Sequence, residues 1–348
     1  MTVFQVTRHR HHFLHFYDCI QYPYVRYLVS GKSAGVPVGR GRVSDKRNFV
    51  MQVSWTGVFP AVATQMFEDG SIDFDMTAKQ IEALIDAGVD GLVMLGSVGE
   101  NTTLEMDEKI AVLKLAVEIT KGRIPVLSGV AETTTAGAIK YAQKCEELGA
   151  DGLMLLPGMI YTADTRENLA HFRAVAAKTA LPIMIYNNPG AYRIDIKPEE
   201  FNQLADVENL VAIKESSGDP RRITDIYNAC GDRFVLFCGM DDLVMETQVL
   251  GAVGWISGFT DAFPAESVGL WKLLTEGKYA EAVKIYRWFT PVLHMDVHAK
   301  LVQYIKLAQA MTGVGKEYVR APRLTLVGEE REAITKIIQK AIDTRPSL

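Results

Sequence analysis

Leu210-Val211-Ala212-Ile213-Lys214-Glu215-Ser216-Ser217-Gly218-Asp219 is a short run of consecutive apolar residues that stops at a lysine and then turns polar. Its apolar residues do not alternate with polar ones, as they would in a strand with one wet face. The run reads as a β-strand buried on both sides, the pattern of a parallel sheet. Runs of the same kind recur at 57–62, 91–95, 125–128, 152–156, 182–186, 234–237 and 254–257. Amphipathic stretches between them predict helices, among them 76–87, 104–120, 135–148 and 166–177. About eight strands alternating with helices over about 220 residues predict an α/β fold, a (β/α)8 TIM barrel. The alternative is an open doubly wound sheet, which normally carries a glycine-rich phosphate turn after an early strand. Gly96-Ser97-Val98-Gly99 does not supply that GxGxxG pattern.

After Pro264 the strand pattern ends. Helical patterns follow at 265–275, 279–289, 298–311 and 329–341, and the last three exceed what a barrel needs. The expected organisation is a barrel over 51–275 and a C-terminal helical appendage over 276–348, packed on the barrel or on another subunit. Residues 1–50 differ in kind. They are rich in Arg and Lys against only Asp18 and Asp45, and they hold His9, His11, His12 and His15. With no apolar signal core and no small-residue cleavage site, they read as a basic, non-catalytic extension, and Met51 as an alternative start.

The chain has 348 residues, is 48% hydrophobic and 23% charged, and carries a net charge of -5. That composition fits a soluble globular protein and gives no reason to expect nucleic acid or an acidic membrane as partner. Cys19, Cys145, Cys230 and Cys238 form no CxxC pair, so neither a disulfide framework nor a zinc knuckle is signalled. No apolar run approaches the roughly 18 residues needed to cross a bilayer. The expected location is the cytoplasm.

In a barrel of this kind the strand C-terminal ends share one face, and the active site lies there. Lys214 ends the sixth strand, Tyr186-Asn187-Asn188-Pro189-Gly190 the fifth, and Gly96-Ser97-Val98-Gly99-Glu100-Asn101-Thr102-Thr103 the second. A lysine at a buried strand end loses hydration, which favours its neutral amine, a nucleophile toward carbonyls. A neighbouring phenol at Tyr186 can move protons for a Schiff base. The loop from Gly96 to Gly99 offers backbone amides and the Ser97 hydroxyl to a carboxylate, with Glu100 fixing the loop and Asn101, Thr102 or Thr103 capping the next helix.

In order and spacing, Gly96-Ser97-Val98-Gly99-Glu100, Tyr186-Asn187-Asn188-Pro189 and Ile213-Lys214-Glu215-Ser216 resemble the three signatures of the dihydrodipicolinate synthase and N-acetylneuraminate lyase family. The resemblance spans about residues 55–345. It implies a (β/α)8 barrel with a helical tail, a homotetramer, and a lysine Schiff base to a small 2-oxo acid with neither cofactor nor metal. It makes Lys214 the Schiff-base lysine and Tyr186 the proton donor and acceptor. Ser97 takes the hydroxyl position between that tyrosine and the substrate carboxylate. The Val98 backbone takes the neighbouring carboxylate position, and Gly239 and Ile256 present backbone groups near the bound oxo acid.

Two departures bear on the substrate. Synthases of the family usually carry an arginine two residues after the proline of the tyrosine motif; here that residue is Ala191, with Arg193 nearby. They also carry paired tyrosines after the proline that follows the fourth strand. Here the stretch is Pro157-Gly158-Met159-Ile160-Tyr161, in which Met159 cannot relay protons and Tyr161 is the candidate relay.

The stretch Asn187-Asn188-Pro189-Gly190-Ala191-Tyr192-Arg193 is similar to family members of bacterial hydroxyproline breakdown. The expected activity is therefore deamination of Δ1-pyrroline-4-hydroxy-2-carboxylate, a cyclic imino acid, to 2,5-dioxopentanoate and ammonia. The alternatives are condensation of pyruvate with aspartate semialdehyde, a 2-keto-3-deoxy sugar acid dehydratase or aldolase, and a non-catalytic binding protein that kept the lysine. His294 and His298 have the spacing of a helical metal pair, but they lie away from the strand ends and lack HExxH, and read as stacked surface or interface histidines.

Overall fold

Each apolar run pairs with its sequence neighbour in parallel, as burial on both faces requires. The computed structural model describes residues 51–158 and 161–347. The expectations for 1–50, Met159 and Ile160 lie outside the described residues. The strands are β1 (Gly57–Pro60), β2 (Leu92–Met94), β3 (Val126–Val130), β4 (Gly152–Leu155), β5 (Ile183–Asn187), β6 (Leu210–Glu215), β7 (Val235–Cys238) and β8 (Gly254–Ser257). They run in the order β1-β8-β7-β6-β5-β4-β3-β2. A parallel bridge from Ala61 to Val93, with Val62 N donating to Val93 O at 3.0 Å, joins the two ends, so the sheet curls into a (β/α)8 TIM barrel.

The helices are α1 (Phe74–Asp86), α2 (Met106–Thr120), α3 (Thr135–Glu147), α4 (Thr165–Ala176), α5 (Pro189–Tyr192), α6 (Arg221–Cys230), α7 (Val244–Val249), α8 (Pro264–Thr275), α9 (Tyr279–Leu293), α10 (Leu301–Thr312) and α11 (Gly328–Asp343). Side chains satisfy several of the orphan N–H groups at their starts. Asp73 accepts from Met76 N at 2.9 Å, Thr134 from Gly137 N at 3.0 Å, and Asp164 from Glu167 N at 2.8 Å. Inside the barrel, Phe59 and Phe237 meet edge to face with centroids 5.3 Å apart. A Cβ on Gly91 would stand 2.2 Å from the Phe59 ring, so only glycine lets that aromatic fill the barrel.

Local chemistry moves several boundaries. Asn101–Thr103 forms a 3-10 turn rather than a cap. Helix α2 instead begins after Glu105, whose backbone N–H donates to Glu108 Oε2 at 2.9 Å. Between β5 and β6 the crossover is a single α turn followed by a 3-10 segment, Pro198–Leu204, each started by a proline. Helix α9 continues through Pro291 to Leu293, and a 3-10 turn, His294–Val297, separates it from α10.

The C-terminal helices share the barrel's core. Phe289, Val292, Ile305, Ala308 and Ile338 pack in one apolar cluster with Ile256, Phe259 and Phe263. A buried ion pair fastens α10 to the loop after β2: Lys306 Nζ lies 2.7 Å from Glu100 Oε1. The other oxygen of Glu100 accepts from Arg320 N at 3.1 Å and lies 3.6 Å from the Arg323 guanidinium. No helix among the described residues is long and apolar enough to cross a membrane.

Candidate active site

Register sets the chemistry of β5 and β6. Tyr186 stands opposite Lys214, and Asn187 opposite Glu215. Since alternate residues share a face, Tyr186 and Lys214 both turn into the barrel mouth while Asn187 and Glu215 turn behind it. There Glu215 accepts from Asn187 Nδ2 at 3.1 Å and from Ser217 N at 2.8 Å, which ties the two strand ends together. The Lys214 ammonium sits 4.0 Å from the centroid of the Tyr186 ring, and the residue is only 6% exposed. Burial pushes its pKa down, against the pull of Asp296, Tyr192 and Asp241, so the amine is more often neutral than a surface lysine's.

The lysine needs the glycine beside it. A Cβ on Gly239, just past β7, would stand 1.9 Å from Ser216 Oγ and 2.8 Å from Cε of Lys214. The buried Ser216 hydroxyl has no hydrogen-bond partner among the described residues.

Across the mouth, the loop after β2 carries Leu95 and Glu100 at φ 57° and 55°, left-handed conformations that non-glycine residues rarely adopt. Glu100 is held there by the Lys306 pair, as expected of a residue that fixes the loop. The Ser97 hydroxyl lies 2.6 Å from the Tyr192 hydroxyl. Tyr192 meets Tyr186 edge to face, with centroids 5.5 Å apart. Helix α5 makes this possible: Asn188 accepts from Ala191 N at 2.9 Å and donates to the Tyr186 hydroxyl at 3.1 Å, so one residue caps the turn and orients the phenol. Burial raises the pKa of both tyrosines, keeping them protonated.

Lys214, Tyr186, Ser97, Val98, Gly239 and Ile256 line one cavity of about 640 Å³. Two expected site residues do not. Tyr161 is 62% exposed, beside Glu167 and Asp164, and the tyrosine that stands between Ser97 and Tyr186 is Tyr192. Gly99 lies beneath the loop, where a Cβ would come within 2.9 Å of Leu95 N, so it shapes the backbone without facing the cavity. Ala191 lines the cavity, while Arg193 is exposed and does not take its place.

The C-terminal region adds groups that the strand motifs do not contain: Asp296, His298 and Arg323 line the same cavity. Asp296 Oδ2 accepts from Asp241 N at 3.4 Å. Asp241 is buried and accepts from Trp255 Nε1, Ser257 Oγ and Phe259 N at 3.0, 3.1 and 2.9 Å. His294 and His298 do not share a helix face. His294 Nδ1 is 2.8 Å from Asp242 Oδ2, whereas His298 stacks on Tyr304 and accepts from Lys300 N. No group of three or more potential metal ligands occurs among the described residues.

The arrangement resembles known enzymes in both sequence and shape. The model of the Dihydrodipicolinate synthetase family matches residues 54–341. The chain is 32% identical over 290 residues to the 4-hydroxy-tetrahydrodipicolinate synthase of Bacillus subtilis (strain 168), covering 83% of this chain and 100% of that one. Among solved structures, the 4-hydroxy-tetrahydrodipicolinate synthase of Methylacidiphilum fumariolicum SolV has a TM-score of 0.80 at 28% identity, covering 83% of this chain and 97% of that one. A dihydrodipicolinate synthase from Bacillus anthracis has a TM-score of 0.79 at 30% identity, covering 83% and 99%. With the family's model spanning barrel and C-terminal helices alike, the chain belongs to the Dihydrodipicolinate synthetase family, a family of lyases.

Proposed function

We propose that this enzyme forms a Schiff base between Lys214 and a small 2-oxo acid or cyclic imino acid, and that its substrate is Δ1-pyrroline-4-hydroxy-2-carboxylate. The observation that carries the Schiff base is the buried Lys214 amine over the Tyr186 ring. The amine adds to C2 of the ring imine, and the C2–N bond breaks to leave a lysine iminium and a free amine on C5. Tyr186 gives its proton to the ring nitrogen as the C2–N bond breaks and, as the phenolate so formed, takes a proton from C3, giving an enamine. The enamine pair expels the C4 hydroxyl as water. Tautomerisation then places an imine at C5, and two hydrolyses release ammonia and 2,5-dioxopentanoate. The iminium is the electron sink, so the reading needs no separate cofactor or metal. Ser97 and the Val98 backbone hold the carboxylate, and Gly239 and Ile256 line the pocket beneath it. The same reading, resting on the family resemblance, places the enzyme in the cytoplasm as a homotetramer.

Elimination is favoured over condensation because the cavity wall carries Ala191 where synthases of the family carry arginine, with Arg193 exposed and Tyr161 outside. The second reading, condensation of pyruvate with aspartate semialdehyde, draws on the names of the relatives. The test is borohydride trapping with peptide mapping, using pyruvate and the pyrroline separately, with ammonia measured in parallel. An adduct on Lys214 and ammonia from the pyrroline support the deaminase. An adduct with pyruvate alone, and turnover with aspartate semialdehyde, would give the reaction to the synthase. No adduct on Lys214 would end the Schiff-base reading.

A further inference from the structure

We propose that Asp296 is the acid that protonates the C4 hydroxyl as it leaves, a role resting on the deaminase reading above. Expelling hydroxide from carbon is slow unless a proton arrives with it, so an elimination site needs an acid on the leaving-group side. Among the described residues lining the cavity, Asp296 carries the sole carboxyl group. It comes from the 3-10 turn His294–Val297, not from a barrel strand. It therefore faces the mouth that β5, β6 and the loop after β2 build from the other sides.

The positions of the other groups assign the rest of the substrate. C2 is bonded to Lys214, the carboxylate lies toward Ser97 and Val98, and C3 faces Tyr186. The distal carbons are left to the wall formed by Asp296, His298 and Arg323. Asp296 is half-buried, fixed at one oxygen by Asp241 N, and its other oxygen lies close to Gly258, where an added Cβ would come within 3.2 Å. The charged and titratable groups that face it are Lys214 from β6, Tyr186 from β5, Cys238 from β7, and Asp241 and Asp242 after β7. Burial pushes its carboxyl up to about 6, against the pull of Lys214, which leaves a useful fraction protonated near neutral pH. In the step itself, the enamine pair at C2=C3 shifts to C3=C4 and the C4–O bond breaks. The Asp296 proton goes to the departing oxygen, so water leaves and a carboxylate remains, to be reprotonated from solvent before the next turnover.

The test compares the full-length enzyme with Asp296→Asn and Asp296→Glu by three readouts: borohydride trapping on Lys214, deuterium exchange at C3, and ammonia release. For Asp296→Asn, trapping and exchange stay near wild type while ammonia release falls by about 10²- to 10³-fold. Asp296→Glu restores part of that loss. The 4-fluoro analogue of the pyrroline, whose leaving group depends less on a proton, is turned over by Asp296→Asn close to the wild-type rate. Ammonia release within about threefold of wild type in Asp296→Asn would overturn the role of Asp296 and leave the deaminase standing. Loss of trapping and exchange along with ammonia in both variants would overturn it too, marking a structural residue. Absence of ammonia from the wild type, with pyruvate still trapped on Lys214, would remove the deaminase reading and this role together.

Discussion

Lys306 on α10 and Glu100 on the loop after β2 form an ion pair of 2.7 Å from which solvent is fully excluded. Neither charge has water to fall back on, so the pair acts as a rivet between the C-terminal helices and the substrate loop. Removing Lys306 leaves Glu100 buried with only the Arg320 N–H and the more distant Arg323 guanidinium to offset its charge, which costs up to about 3–5 kcal/mol. Lys306→Met is expected to lower stability by that order in a denaturant titration and to loosen the Ser97 loop. Lys306→Met combined with Glu100→Gln is expected to recover much of it, and a double variant no better than the single would show that burial of Glu100 is not the cause.

Gly239→Ala inserts a methyl group where Lys214 and Ser216 already stand. The lysine must move out of its slot, so we expect the rate of borohydride-trappable adduct formation to fall by about 10²-fold or more, a misplacement effect larger than any loss of stability. Trapping at the wild-type rate would mean that the loop after β7 yields instead.

Tyr192→Phe keeps the ring that packs on Tyr186 and removes only the hydroxyl bonded to Ser97. A lost proton relay costs about 10²-fold in kcat with trapping intact. Tyr161→Phe, on the exposed side, is expected to leave kcat unchanged. The reverse pattern in steady-state kinetics would return the relay to Tyr161.

Two groups of the cavity wall, the half-buried Asp296 and the buried Lys214, set opposite pH trends in stability. The pKa of Asp296 is raised from 3.8 to about 6, so the folded state binds more protons than the unfolded one across that window, and stability falls as pH rises through it. Asp296→Asn should therefore gain stability relative to wild type at pH 8 but not at pH 4. The Lys214 pKa is lowered by burial, so its contribution runs the other way: the unfolded state binds the extra proton, and stability recovers as pH rises toward the ordinary lysine value. Lys214→Met should be more stable than wild type at pH 7. Thermal melts across pH check both signs.

The barrel was legible because its strands are unbroken apolar runs, and the β5–β6 pairing could be read because Tyr186 and Lys214 end consecutive strands. Tyr192 is written in the same motif, but its place between Ser97 and Tyr186 is not legible there, since only the one-turn helix capped by Asn188 folds it back onto Tyr186. Asp296 was hidden for a different reason. It lies in a stretch whose histidine spacing suggests helix, and nothing local announces the 3-10 turn that breaks it. Lys306 reads as an ordinary lysine on an amphipathic helix until its partner, far away in sequence, is known. Local pattern fixes elements and strand ends; contacts closed by tertiary packing leave no such trace.

The 3-10 turn between α9 and α10 also bears on how such an enzyme can change. In the proposed reaction, the residues that capture the substrate, Lys214 and Tyr186, belong to the strands, whereas the carboxyl facing its far end, Asp296, arrives on this connection between helices. On that proposal, covalent capture and the fate of the captured molecule are encoded in separate stretches of chain. A lineage can vary the second by exchanging this connection and leave the first undisturbed.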